Sequence, residues 1–501
     1  MRSSKDQAET ETTEPDTSSS GTHPTDGAAR ATNGSSLPPE RGENADAQRP
    51  QAALAEGRAR PPDERQDGQP KPRRLIRRTR RERAIIVSAS LVAVLAGIVV
   101  VASLLSGYFQ VQKSTGARAP TSTAVLGITP APDYTAHHTP PPDLTNLNRA
   151  LDDYIRRMPL DDELGQMIQV QFVGPNLGDV LSIPNDWRAE LKKVHVGSVI
   201  LYWYNIQSVS QLKALTSDLQ SSDIAPTIPL IVSTDEEGGE VDYLDRLYGS
   251  GPTEASLGAT GNPQNAFNWG QLDGQHLNAV GINADLAPVV DVKATPNPSI
   301  DLRMYGSDPT LVTNMASAFI DGLHSQGIMD ALKHWPGIGW SSVDAHAALP
   351  VSNISRADLD QIDFAPYKAL LAAGKVDMIM PTHVLLTSID PTMPSSLSPI
   401  IIDGILRHDL GYQGVLITDA LYMGALTQKY SMAESAVLSV IAGNDILSSF
   451  YDPSGVETVM RALHAAIDDG RITKARVDLS VKRILLLKLK YGIFHLPNYD
   501  G

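Results

Sequence analysis

Gly414-Val-Leu-Ile-Thr-Asp419 is a short apolar run that closes on a carboxylate. Such a run suits a strand covered on both faces, and a charged group at its end is costly unless it meets solvent or a partner. The same design recurs along the chain, at residues 167–173, 198–202, 229–235, 283–291, 328–334, 376–383 and 445–449. Helix-like stretches lie between these runs, for example 209–219, 309–325 and 432–442, with apolar residues three and four apart. Eight strand-then-helix units predict an α/β fold, a (β/α)8 TIM-type barrel over residues 145–496. A doubly wound open sheet is the rival, but the chain shows neither a phosphate-binding glycine fingerprint nor a break into halves. In barrels the chemistry sits on loops after the strand C-termini. Those tips read Asp235, Asp291, Lys333-His334, His383 and Asp419. Taken singly, Asp291 can cap a turn and His383 can be a satisfied buried histidine.

The remainder of the 501-residue chain is of another kind. Residues 1–70 hold no Val, Ile, Phe, Trp or Tyr, and carry 8 Lys/Arg against 13 Asp/Glu. Such a segment cannot bury enough apolar surface to offset its ordering entropy, so a disordered arm is expected. Residues 71–83, KPRRLIRRTRRER, place eight basic residues and one acid directly before an uncharged run of 26, residues 84–109. About 20 apolar residues cross a hydrocarbon core as a helix, and flanking basic residues stay on the cytoplasmic side. The expectation is a single-pass cell-membrane protein with its N-terminus cytoplasmic and its main domain extracytoplasmic. A cleavable signal peptide is the alternative, although its apolar region is ordinarily about 7–15 residues long and close to the N-terminus. Residues 110–144, rich in Thr, Pro and Ala, read as an extended spacer.

A net charge of −15 argues against nucleic acid as a partner, and the basic cluster is explained as a topology signal. Zero cysteine excludes disulfides, thiolate metal sites and a cysteine nucleophile. The 12 histidines lack metal-ligand spacing, so neither metal nor cofactor is expected.

Three segments carry chemistry. In Val232-Ser-Thr-Asp-Glu-Glu-Gly-Gly-Glu-Val241 the paired glycines permit a tight turn that leaves Asp235 free to accept from hydroxyls. In Lys333-His-Trp-Pro-Gly-Ile-Gly-Trp-Ser-Ser-Val-Asp-Ala-His346 an irregular loop ends on Asp344 and His346. A carboxylate beside an imidazole fixes its tautomer and stabilises its charged form, which equips it for proton transfer; the plain alternative is a loop hydrogen bond. The third is the opening stretch, whose Asp419 can serve as a nucleophile.

These segments resemble family 3 glycoside hydrolases, and in particular single-domain bacterial β-N-acetylhexosaminidases. Asp235-Glu-Glu-Gly-Gly239, Lys333-His-Trp-Pro-Gly337, the Asp344 to Pro350 segment and Thr418-Asp-Ala-Leu-Tyr-Met423 follow the family's motifs in order. Leu164-Gly-Gln-Met167, Ala287-Pro-Val-Val-Asp-Val292 and Arg303-Met-Tyr-Gly-Ser-Asp-Pro309 support them. The resemblance implies a retaining mechanism on a glycan bearing terminal N-acetylglucosamine. Asp419 would attack the anomeric carbon, and His346, oriented by Asp344, would act as acid and then base. Asp235, Arg303, Lys333 and His334 would hold the sugar. A monomer without metal or cofactor is implied. Larger members carry a second sandwich domain; with so little sequence after Phe494, none is expected here.

Departures from the family pattern are Ile338 and Trp340 in the dyad loop, Glu236 for glutamine, and Ala420 after the nucleophile. Glu240 and Tyr243 stand where some relatives have arginine, with Arg246 as a substitute if the loop is longer. Glu236 is expected to add negative charge, and Glu240 to repel a muramic acid carboxylate. A β-glucosidase or glycoside phosphorylase on the same scaffold, and a catalytically silent envelope glycan-binding protein, remain the alternatives.

Overall fold

The computed structural model describes residues 144–499. The arm, basic segment and apolar run expected at 1–70, 71–83 and 84–109 lie outside the described residues, as does the spacer except for Leu144, which opens helix Leu144–Ile155. Among the described residues no helix is long and apolar enough to cross a membrane.

The principal strands are β1 (Ile168–Gln171), β2 (Ser198–Ile200), β3 (Ile231–Thr234), β4 (Ala284–Asp285), β5 (Ala331–Trp335), β6 (Met378–Pro381), β7 (Val415–Leu416) and β8 (Leu447–Phe450). Parallel ladders run β8-β1-β2-β3-β4 and β5-β6-β7. Parallel bridges Ala284↔Met329 and Val289↔Lys333 tie β4 and the segment after it to β5, and Ile417↔Ile446 joins the ends of β7 and β8. The pairing therefore passes through all eight strands and returns to its start. Each expected strand overlaps one observed strand, with Ala331–Trp335 and Leu447–Phe450 each running one residue past the expected end. The expected run 283–291 shrinks to Ala284–Asp285, because Pro288 has no N–H to give and the Val289 N–H is taken by Glu254 Oε1 at 2.9 Å.

Helices fall between consecutive strands, and their starts are marked in the sequence. Helix Val209–Leu219 begins where Ser208 Oγ accepts from Gln211 N, Pro309–His324 where Asp308 accepts from Thr310 N, and Met432–Ala442 where Ser431 accepts from Glu434 N. Each side chain satisfies one of the free N–H groups of the first turn. Apolar residues of helix Pro309–His324 such as Val312, Met315, Phe319 and Leu323 are buried in the core. Within the ring, β1 contributes a polar layer: Gln169 Nε2 donates to Ser198 Oγ and Ser233 Oγ, both at 3.1 Å, and Ser448 Oγ donates to Gln169 Oε1 at 2.5 Å. A cavity of about 240 Å³, lined by Tyr154, Asp162, Gln166, His195 and Ile228 among others, opens by the N-terminal ends of β1–β3, away from the polar strand tips.

Candidate active site

The C-terminal tip of β7 presents Asp419, partly buried, with both oxygens engaged. Thr382 Oγ1 donates to Oδ2 at 2.7 Å and the Ala420 N–H to Oδ1 at 2.8 Å. Burial pushes this carboxyl up, but His383, His334, His346 and the Thr382 hydroxyl outweigh it and hold Asp419 at about 2. His383 is wholly buried and satisfied between Ser396 Oγ at 2.7 Å and the Ala420 carbonyl at 3.1 Å. It fixes the backbone next to Asp419 rather than facing a ligand.

The expected dyad forms. His346 Nδ1 lies 2.9 Å from Asp344 Oδ1, and the same oxygen accepts from the His346 N–H at 2.9 Å. With Nδ1–H given to the carboxylate, Nε2 is left to exchange a proton. Burial acts to raise the Asp344 carboxyl, but the His346 N–H and imidazole overcome it and lower it on balance. The loop is fastened to the segment that follows Asp419: Gly424 N donates to His346 O at 3.0 Å and Ala425 N to Ala345 O at 3.1 Å. Ala345 also packs with Ala420, Met423 and Ala425. His346 and Asp419 thus share one piece of scaffolding.

On the other side of the site, charges are paired inside the protein. Lys333 Nζ reaches Asp235 Oδ1 at 2.7 Å and Glu237 Oε1 at 2.5 Å. Arg303 forks onto Glu237, Nε to Oε2 at 2.5 Å and a terminal nitrogen to Oε1 at 2.8 Å. The fully buried Glu237 is pushed up by burial but held at about 2 by Arg303 and Lys333. His334 Nδ1 sits 2.8 Å from Asp291 Oδ2, whose other oxygen accepts from Ile338 N at 2.9 Å. Asp291 therefore orients the histidine and pins the start of the dyad loop. The tight turn between Glu237 and Val241 needs its glycines: Gly238 and Gly239 have φ of 85° and 67°, and a Cβ on Gly238 would lie 2.2 Å from the Pro252 carbonyl.

The chain matches the Glycosyl hydrolase family 3 N terminal domain over residues 159–487. It belongs to glycosyl hydrolase family 3. Among relatives of this family 3 chain, a β-hexosaminidase of Tolumonas auensis is 32% identical over 295 residues, covering 58% of this chain and 87% of its own. β-Hexosaminidase A of Pseudoalteromonas piscicida is 31% identical over 333 residues, 62% of this chain and 56% of its own length. A family 3 β-N-acetylglucosaminidase from Paenibacillus superposes with a TM-score of 0.62 at 35% identity, over 67% of this chain and 63% of that one. A family 3 member from Mycobacterium smegmatis gives 0.60 at 29% identity, over 66% of this chain and 98% of that one. The chain therefore spans little more than half of the Pseudoalteromonas relative.

Several positions of this family 3 site differ from their sequence reading. Glu236 does not face solvent: it is buried, accepts from Leu244 N at 2.7 Å, and burial, with Asp273 and Asp242 nearby, pushes its carboxyl well up. Arg246 gives its guanidinium to the Ile206 carbonyl at 3.2 Å, whereas Glu240 is exposed. Glu237 and Thr382 were not singled out by sequence, although Glu237 pairs with Arg303 and Lys333 and Thr382 donates to Asp419. His324, Asp330 and Asp377 also cluster, but at the N-terminal ends of β5 and β6. His324 Nε2 there bridges Asp330 at 2.8 Å and Asp377 at 3.0 Å, and Lys490 reaches Asp377 at 2.5 Å, which makes an ion-pair network.

Proposed function

We propose that this chain is a retaining β-N-acetylhexosaminidase acting on terminal β-linked N-acetylglucosamine, with the ring of strands as a (β/α)8 barrel. The observation that carries the reading is the joint presence of an ionised carboxylate at a strand tip and an Asp344–His346 pair fastened to the same loop. Asp419, held at about 2, remains ionised at neutral and mildly acidic pH, as a nucleophile must. Its oxygen bonds to the anomeric carbon as the glycosidic bond breaks, and His346 Nε2 gives its proton to the leaving oxygen. In the second step His346 takes a proton from water, which displaces Asp419 from the sugar. Asp235, positioned by Lys333, and the Arg303–Glu237 pair beside His334 supply acceptors and donors for the ring hydroxyls and the acetamido group.

The relatives named β-hexosaminidase and β-N-acetylglucosaminidase support the sugar assignment. The basic segment 71–83 followed by the uncharged run 84–109 supports attachment to a membrane with this domain outside. An imidazole as acid repels an incoming anion less than a carboxylate would, so phosphorolysis is the competing chemistry. The full chain is assayed with p-nitrophenyl β-N-acetylglucosaminide and the β-glucoside, with and without phosphate. The expected result is phosphate-independent release from the acetamido substrate, and a loss of roughly 10³-fold or more in Asp419→Asn. Preference for the glucoside or a need for phosphate would move the assignment to the other enzymes, and silence of a folded protein would favour glycan binding alone.

A further inference from the structure

A continuous set of aromatic side chains leads from the site's carboxylates to solvent. Tyr202 and Trp203 follow β2, Tyr243 follows the turn after β3, Tyr422 lies three residues beyond Asp419, and Tyr451 follows β8. Ring centroids are 5.6 Å apart for Tyr202 and Tyr243, 5.5 Å for Trp203 and Tyr243, and 5.7 Å for Tyr422 and Tyr451. The Tyr422 hydroxyl lies close enough to the side chains of Gln171 and Tyr202 to interact with both, which joins the two groups. The inner rings adjoin the sugar-holding residues. Burial first, and then neighbours including Asp235, pushes the hydroxyls of Tyr202 and Tyr243 well up. The outer ends are open: Trp203 is 38% exposed and Tyr451 43%. Large aromatics left in contact with water beside a polar site are an unfilled binding surface more often than a packing remnant.

The charges around this surface narrow its occupant. Lys333 is committed to Asp235 and Glu237, Arg303 to Glu237, and Arg246 is turned to the Ile206 carbonyl. Glu240 and Asp344 are exposed acids. An anionic group arriving here would meet carboxylates, while the cations near it are already paired. A neutral pyranose would meet aromatic faces that its C–H groups can cover.

Resting on the hexosaminidase reading, we propose that Trp203–Tyr243 and Tyr422–Tyr451 form the aglycone site and select a neutral N-acetylglucosamine residue over a carboxylate-bearing muramyl residue. The substrate class is then the short β-linked N-acetylglucosamine oligosaccharide. Three substrates separate this idea from the reading beneath it. They are N-acetyl-β-glucosaminyl fluoride, which has no aglycone ring, N,N′-diacetylchitobiose, and N-acetylglucosaminyl-anhydromuramic acid.

With the full chain in detergent, kcat/KM is expected to be about tenfold or more higher for chitobiose than for the muramyl disaccharide. Trp203→Ala and Tyr451→Ala should each lower the chitobiose-to-fluoride ratio of kcat/KM roughly 3- to 10-fold. Equal turnover of the two disaccharides, preference for the muramyl one, or a ratio unmoved in either variant overturns the proposal. Inactivity of the wild-type chain on the fluoride itself overturns the hexosaminidase reading, and this proposal with it.

Discussion

Glu237 shows how much a single side chain can hold in this site. It is the shared partner of Arg303 and Lys333, and it is fully buried. Glu237→Gln leaves two cations facing Asp235 alone, so a loss of about 3 kcal/mol or more in urea unfolding is expected, with a raised KM. Unchanged unfolding would mean that the pairs are not formed in solution. His346 is tested by its leaving group. His346→Ala should lower kcat by roughly 10²- to 10⁴-fold on chitobiose, and far less on a 2,4-dinitrophenyl glycoside whose leaving group departs without a proton. Equal losses on both would remove His346 from proton transfer. Asp235, Lys333, His334 and Asp419 were legible because each ends an apolar run. Glu237 was not, because it shares an acidic turn with Glu236 and Glu240, and sequence does not say which of the three meets the cations. Thr382 was equally hidden, since a lone threonine carries no pattern.

Among elements, strands and helices followed from apolar spacing and caps, as helices Val209–Leu219 and Met432–Ala442 show. The polar layer of Gln169, Ser198, Ser233 and Ser448 did not, because a serine or glutamine inside a strand reads as a solvent-facing residue until the ring closes around it. The dyad loop depends on a close approach that sequence marks only as a glycine. A Cβ on Gly339 would lie 1.9 Å from the Val292 carbonyl, and Gly339 O itself accepts from Ala294 N and Thr295 N, both at 2.9 Å. Gly339→Ala should displace the loop, with a cost of about 1–3 kcal/mol. The checkable outcome is a kcat on N-acetylglucosaminides that falls more than binding of a sugar analogue does; proportionate losses would argue that the whole pocket had moved.

For the molecule as a whole, the last helix, Lys474–Lys490, ties the end of the domain to its beginning. The fully buried Lys488 donates to Gln166 Oε1 at 2.8 Å and Gly197 O at 2.9 Å, and burial lowers its ammonium to about 7. The unfolded chain, with an ordinary lysine, therefore binds more protons between about pH 7 and 10, and stability from this group rises with pH across that window. Lys488→Met should remove that rise, measured as the difference in urea midpoint between pH 7 and pH 9 for variant and wild type. An identical pH dependence would show that Lys488 keeps its ordinary proton affinity. The exposure of His346, 67% for its side chain, has a further consequence. In the proposed cycle, the proton that His346 gives to the leaving oxygen comes back from the water consumed in the second step. A ring standing open to solvent lets that water arrive directly and leave its proton on the imidazole, without a relay through the interior. The tempo of successive turnovers would then be left to bond cleavage and to how quickly sugars come and go.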